Sequence, residues 1–114
     1  PGEVLFSEAF YKACNNALRP DGLIVQQSES PLLHRELLKR IYSDMGAAGF
    51  AAIRTLQFPQ PVYPGGGWSA TMAAKTASWP GPRYEEMAEI EGMRYFNRAI
   101  FDASFALPEF MIEK

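Results

Sequence analysis

Between Gln57 and Pro64 three prolines fall within eight residues, and three glycines follow at positions 65 to 67. Proline fixes φ and removes a backbone donor, so this stretch forms neither a helix nor a central strand. Glycine loses more conformational freedom on folding than any other residue. A glycine triplet therefore marks a place where the chain needs backbone angles, or a close approach, that side chains forbid. The segment VYPGGGW cuts the chain in two and sets an aromatic ring at each end, Tyr63 and Trp68.

Before the cut, helical and strand patterns alternate. Ser7 has the character of a helix N-cap, with Phe6 before it and Tyr11 four positions on as a hydrophobic staple. Phe10, Cys14, Ala17 and Leu18 follow with the spacing of a buried helical face. Arg19-Pro20-Asp21-Gly22 stops that helix and turns. Leu23-Ile24-Val25 then reads as a buried, central strand of parallel type. A second helix is expected to open at Ser30, with Pro31 in its first position and Leu33, Leu37, Ile41 and Met45 as its stripe. Gly46 and Gly49 are both candidates for its end. Phe50 to Gln57 is strand-like.

After the cut, Trp68 to Met72 reads as a strand and 76–83 as a loop. Residues 83–90, 95–101 and 108–113 read as short helices or helical turns. Alternating helices and strands predict a parallel sheet covered on both faces. The last two strands, joined by a loop, should pair antiparallel. The fold class expected is α/β: the C-terminal half of a methyltransferase-like Rossmann fold whose sheet ends in an antiparallel pair. No glycine-rich phosphate loop follows a strand, so the nucleotide-binding half of such a fold is not represented.

The 114 residues are 47% hydrophobic and 21% charged, enough apolar material for a core. A formal net charge of −2 without a basic block disfavours nucleic acid and anionic membrane as partners. No apolar run is long enough to span a bilayer. One cysteine, Cys14, and one histidine, His34, provide no zinc cluster, and Cys14 reads as core filler. A cytoplasmic location is the expectation. Apolar pattern begins at once after Pro1, at Val4, Leu5 and Phe6, which reads as the C-terminal part of a longer chain.

Polar residues directly after a strand in an open α/β sheet are candidate ligand contacts. Gln27 and Glu29 stand there; the alternative is that they are loop residues and that Ser28 or Ser30 merely caps the next helix. Tyr63 and Trp68 either pack on the core around an ordinary glycine turn or wall a pocket for an organic cation, which aromatic faces attract. His34 reads as a surface residue. Glu85, Glu86, Glu89 and Glu91 read as a solvated helix face.

Three blocks then carry a family resemblance. PGEVLFSEAFYKACNNALRPDGLIVQQSES resembles the segment of spermidine synthases that follows their D-[ST]-[ST]-D-P-x-G motif. VYPGGGWSATMAAK is similar to their Y-P-S-G-x-W-x-F-x-x-[AG]-S-K stretch, and MRYFNRAIFDASFALPEF to their closing Y-Y-N-x-x-[IV]-H-x-A-A-F-x-L-P-x-F. The blocks stand in the family's order and span nearly all of residues 1–114, read as part of a single catalytic domain. The resemblance implies transfer of an aminopropyl group from decarboxylated S-adenosylmethionine, a co-substrate, to putrescine. The products are spermidine and methylthioadenosine, with no separate cofactor and no metal. It implies a cytoplasmic homodimer or homotetramer. Carried over by position, Tyr63 and Gln27 would contact the diamine, Trp68 would wall its channel and Pro1 would touch the adenine side of the nucleoside. Glu29 joins them as a substrate-binding candidate. The arrangement places Tyr63 and Trp68 on one side of a cleft and Gln27 on the opposite wall.

The departures are specific. The family's catalytic aspartate belongs to the motif that ends immediately before Pro1, so no catalytic residue is expected in this chain and the chain alone should be inactive. Gly65 replaces a serine, Ala70 an aromatic and Phe101 a histidine. A non-catalytic homologue that binds a polyamine or a protein partner, and a methyltransferase-like domain with another nucleophile, are the alternatives.

Overall fold

The computed structural model describes residues 2–79 and 81–112. After a turn of 3-10 helix at Glu3–Phe6, Ser7 adopts extended backbone and its Oγ accepts the Phe10 N–H at 3.2 Å. That bond satisfies one of the free donors at the start of α1 (Glu8–Ala17), as the sequence predicts. Tyr11 is more than a staple. It is fully buried at the centre of the core, and Phe6 packs against the same cluster.

The second helix starts later than expected. Ser30 Oγ accepts the Leu33 N–H at 3.1 Å and Ser30 O accepts the His34 N–H at 2.8 Å, but regular helix α2 runs only from Arg35 to Ala47. Ser30 therefore caps a preliminary turn, and Leu33, placed on the buried stripe from sequence, is 54% exposed. Ile41 and Met45 are fully buried as predicted. Gly49, with φ of +103°, ends the helix. The Gly49 N–H reaches Gly46 O at 3.1 Å and the Phe50 N–H reaches Met45 O at 3.2 Å, the paired bonds of a Schellman motif.

A Cβ at Gly49 would lie 2.8 Å from Asn15 Nδ2, which is itself held by Ala48 O at 3.0 Å. Strain at positive φ and loss of that bond act together. Gly49→Ala is expected to cost about 1–3 kcal/mol, read as a lower midpoint in urea denaturation.

Three strands form one sheet in the order β1-β3-β2, with β1 at Leu23–Gln27, β2 at Ala52–Pro59 and β3 at Gly67–Ala74. Both pairings are antiparallel. The β2–β3 hairpin is as expected, and Pro59 sits at the end of β2, where its missing donor does no harm. The placement of β1 is not as expected. It is neither central nor paired in parallel; it lies at an edge of this sheet with Val25 55% exposed. The helical crossover does set β1 and β2 parallel to one another, but β3 returns into the gap between them.

Register places Ile24, Ala73 and Ile53 side by side on one face. Against them pack Tyr11 from α1, Ile41 and Met45 from α2, and Phe50. Both helices thus cover the same face, instead of one on each. Beyond the sheet follow α3 (Tyr84–Ala88), α4 (Arg98–Ala103) and α5 (Glu109–Ile112). The helix expected at 95–101 begins later because Asn97 caps it, its Oδ1 accepting the Ile100 N–H at 2.8 Å. This tail docks on β2. Gln57 N donates to Ser104 O at 2.9 Å, and the Arg54 guanidinium stacks over Phe105 at 3.8 Å. Among the described residues no helix is long and apolar enough to cross a membrane.

Candidate active site

The proline and glycine stretch closes the β2–β3 hairpin through two turns. Tyr63 N donates to Gln60 O at 3.1 Å across Pro61, and Gly66 N to Tyr63 O at 3.0 Å across Pro64 and Gly65. The second is a type II turn: proline at its first central position, and Gly65 at its second with φ of +86°. Gly66 follows at +74°. A Cβ at Gly65 would meet only ordinary contacts, at 3.6 Å from Leu33, so backbone angle and not crowding requires the glycine. The glycines serve the turn, and the turn sets where Tyr63 stands.

Its ring lies 4.5 Å from that of Trp68, centroid to centroid, tilted by 53°. Trp68, the second residue of β3, is 7% exposed, whereas Tyr63 is 42% exposed. On the same face, diagonal to Trp68, stands Gln27 at the end of β1. The Trp68 indole N–H donates to Gln27 Oε1 at 2.6 Å. Gln27 is therefore bonded to Trp68 and beside it, not across a cleft from it. The His34 and Trp68 rings meet edge-to-face with centroids 6.1 Å apart.

Glu29 comes two residues after Gln27. Among the described residues it is the one non-glycine with positive φ, at +67°, a conformation that costs about 1–2 kcal/mol. Its carbonyl accepts the Ser69 hydroxyl at 2.9 Å, and its carboxylate has no ion-pair partner among the described residues. Pro1 lies outside the described residues. The structure thus brings Gln27, Tyr63 and Trp68 together and joins Glu29 to them through Ser69, the neighbour of Trp68.

Sequence reasoning missed what lies beneath. Ser28, Ser69 and Thr71 are fully buried and Thr55 is 3% exposed. Their hydroxyls form one continuous chain with Tyr42, with steps of 2.7 to 3.0 Å. Burial pushes the Tyr42 phenol up. The signal available was the inward alternation Ser69-x-Thr71 in β3, polar where a sheet interior is apolar.

The cluster at the strand ends consists of two aromatic rings, a phenol and an amide oxygen with a second lone pair, and the next segment of chain carries a carboxylate, Glu29. All of these are groups that receive a protonated amine. A cavity of about 510 Å³ lies elsewhere, between α2, β2 and the C-terminal tail. Arg35, Lys39 and Arg54 line it, the wrong sign for a cation. The strand-end cluster is the better candidate, and it occupies the position where open α/β sheets bind ligands. No group of three or more metal-ligating side chains occurs among the described residues.

Comparison with known proteins gives the class. The spermine/spermidine synthase domain family matches residues 1–80, and the chain belongs to that family. The chain is 49% identical over 110 residues to the polyamine aminopropyltransferase of Methylococcus capsulatus, and 44% identical over 112 residues to that of Stenotrophomonas maltophilia. It covers 96% and 97% of itself in these matches but only 39% and 40% of the relatives. Among solved structures it resembles spermidine synthase from Thermotoga maritima, with a TM-score of 0.83 and 31% identity over 96% of this chain and 38% of that one. A spermidine synthase in complex with the transition-state analogue AdoDATO matches with a TM-score of 0.81 and 32% identity, over 93% of this chain and 37% of that one. The methyltransferase-like fold expected from the order of elements is the fold of these neighbours.

Proposed function

We propose that this chain supplies the amine-binding side of a polyamine aminopropyltransferase. The enzyme moves an aminopropyl group from decarboxylated S-adenosylmethionine to putrescine and yields spermidine and methylthioadenosine. The observation that carries the reading is the convergence of Gln27, Tyr63 and Trp68 at the strand ends, in a chain of this family.

The chemistry accounts for these residue types. The donor carbon is already electrophilic because it is attached to a sulfonium. The amine nitrogen gives its lone pair to that carbon, the C–S bond breaks, and its electrons leave sulfur as a neutral thioether. Beforehand the attacking ammonium must lose a proton to a base. By resemblance that base is an aspartate outside these 114 residues. What remains for this chain is to hold the diamine extended and in line, a matter of positioning. Tyr63 and Trp68 take the cationic chain against their faces, with Gln27 Oε1 and the Glu29 carboxylate as acceptors for its ammonium groups.

The test is an aminopropyl-transfer assay on the complete polypeptide with decarboxylated S-adenosylmethionine and putrescine, alongside Tyr63→Ala. Aromatic faces attract cations by about 0.5–2 kcal/mol, so the variant should raise KM for putrescine about 2- to 30-fold. Because Tyr63 is 42% exposed and stands in a hairpin turn outside the buried core, the melting temperature should move little. An unchanged KM removes Tyr63 from the site. Putrescine bound without turnover by the unsubstituted protein returns the chain to the class of non-catalytic polyamine binders.

A further inference from the structure

The buried hydroxyls beneath the site have a single possible orientation. Each hydroxyl carries one proton, and a carbonyl can only accept. Ser69 Oγ gives its proton to Glu29 O at 2.9 Å. It must then accept from Ser28 Oγ at 2.7 Å. Ser28, its own proton spent, accepts from Thr71 Oγ1 at 2.8 Å. Thr71 in turn accepts from Thr55 at 3.0 Å, and Thr55 from the Tyr42 phenol at 2.7 Å. Five hydroxyls from α2, β2, β3 and the residue that follows β1 therefore point one way, toward the Glu29 peptide. Hydrogen bonds aligned in series in a low-dielectric interior reinforce one another.

The same peptide is held from its other side. Ser30 N, the donor of the Glu29–Ser30 peptide group, donates to His34 Nδ1 at 3.3 Å, and the His34 ring abuts Trp68. Ser28 N is also tied, to Ser69 O at 2.9 Å. The residue so clamped is the one with the unfavourable left-handed backbone, two positions from Gln27. Nothing local in the sequence favours that conformation at a glutamate.

We propose that Ser69, Ser28 and Thr71 are positioning residues of the amine site: their oriented hydroxyl chain fixes the Glu29 peptide, and with it the placing of the Glu29 carboxylate relative to the Gln27–Trp68 pair. The inference rests on the aminopropyl-transfer reading and adds to it a set of residues that touch no substrate. It makes Glu29 the anchor for a diamine ammonium, at a spacing set from below.

The test measures steady-state kinetics of the complete polypeptide with three variants: Ser69→Ala, the near-isosteric Thr71→Val, and Tyr42→Phe. Loss of a bond that positions an ammonium partner should raise KM for putrescine about tenfold in Ser69→Ala. The rise should shrink with distance along the chain, through Thr71→Val to Tyr42→Phe, while KM for the sulfonium donor stays constant. A purely structural role would instead lower the melting temperature and leave KM for putrescine unchanged in all three, which overturns the proposal. If the unsubstituted protein binds putrescine without turnover, the catalytic reading fails alone, and calorimetric Kd values for putrescine decide the inference by the same gradient. No putrescine binding by the unsubstituted protein overturns both.

Discussion

Replacing Trp68 with alanine should destabilise the complete polypeptide by about 3–5 kcal/mol, measured by urea denaturation, and should also impair its use of putrescine. The indole is 7% exposed on the central strand, so its removal leaves a cavity next to Ala70 and Phe58 that the sheet cannot close by moving a single side chain. The second effect has a different origin. Without the indole N–H, Gln27 Oε1 loses its donor at 2.6 Å, and Tyr63 loses the ring against which it stacks. Trp68→Phe separates the two. It retains most of the buried area and should cost far less stability, yet it removes the hydrogen bond, so KM for putrescine should still rise. The variant pair thus treats packing and binding as two properties of one side chain. An alanine variant as stable as the unsubstituted protein would mean that Trp68 is not packed as described.

The second large effect is alkaline. Burial, and then the charges of Asp44 and Cys14, push the Tyr11 phenol up to about 12 from an ordinary value of 10. The folded state favours the protonated, neutral phenol, which donates to Gln26 Oε1 at 2.6 Å. Its contribution is complete below the unfolded value near 10 and disappears as pH rises through the folded value near 12. At about 1.4 kcal/mol for each tenfold difference in proton affinity, roughly 2–3 kcal/mol of stability should be lost across that window. Tyr11→Phe gives up the Gln26 bond, at about 0.5–1.5 kcal/mol near neutral pH, but should flatten the decline. Tyr42, pushed up by burial as well, acts in the same direction and should leave a residual slope. Denaturation midpoints between pH 8 and pH 12 check this; an unaltered slope in the variant would assign the alkaline loss to other groups.

What was legible in the sequence was mostly local. The Ser7 cap and the β2–β3 hairpin depend on residues within a few positions of a cap or turn and stand as read, and of the two glycines offered as the end of α2 it is Gly49 that ends it. Errors arose where a distant segment decides. An apolar triplet at Leu23–Val25 carries no mark of which strand will lie beside it, so the insertion of β3 was not visible. Ser30-Pro31 has the composition of a helix start, yet the backbone completes only a turn there before α2 proper.

The grouping of Gln27, Tyr63 and Trp68 was suggested by family resemblance; spacing alone left the core and pocket readings both open, with the core reading ahead. The hydroxyl chain could not be read at all. Ser28 looked like a loop or cap residue and Thr71 like an ordinary strand residue; their meaning lies in a 2.8 Å contact between positions far apart in sequence.

The strand order also has a kinetic side. β2 and β3 meet across a tight hairpin, whereas β1 must find β3 over pairings such as Leu23 with Ala74, about fifty residues apart. Closing so long a loop costs entropy before any contact repays it, so the hairpin is favoured to form first and β1 to dock last. Gln27 and Glu29 come with β1, and Tyr63 and Trp68 with the hairpin. The Gln27–Tyr63–Trp68 cluster is built across that seam, so among these strands it is completed only when β1 docks, and a hairpin without β1 would hold two aromatic rings and lack the Gln27 amide beside them.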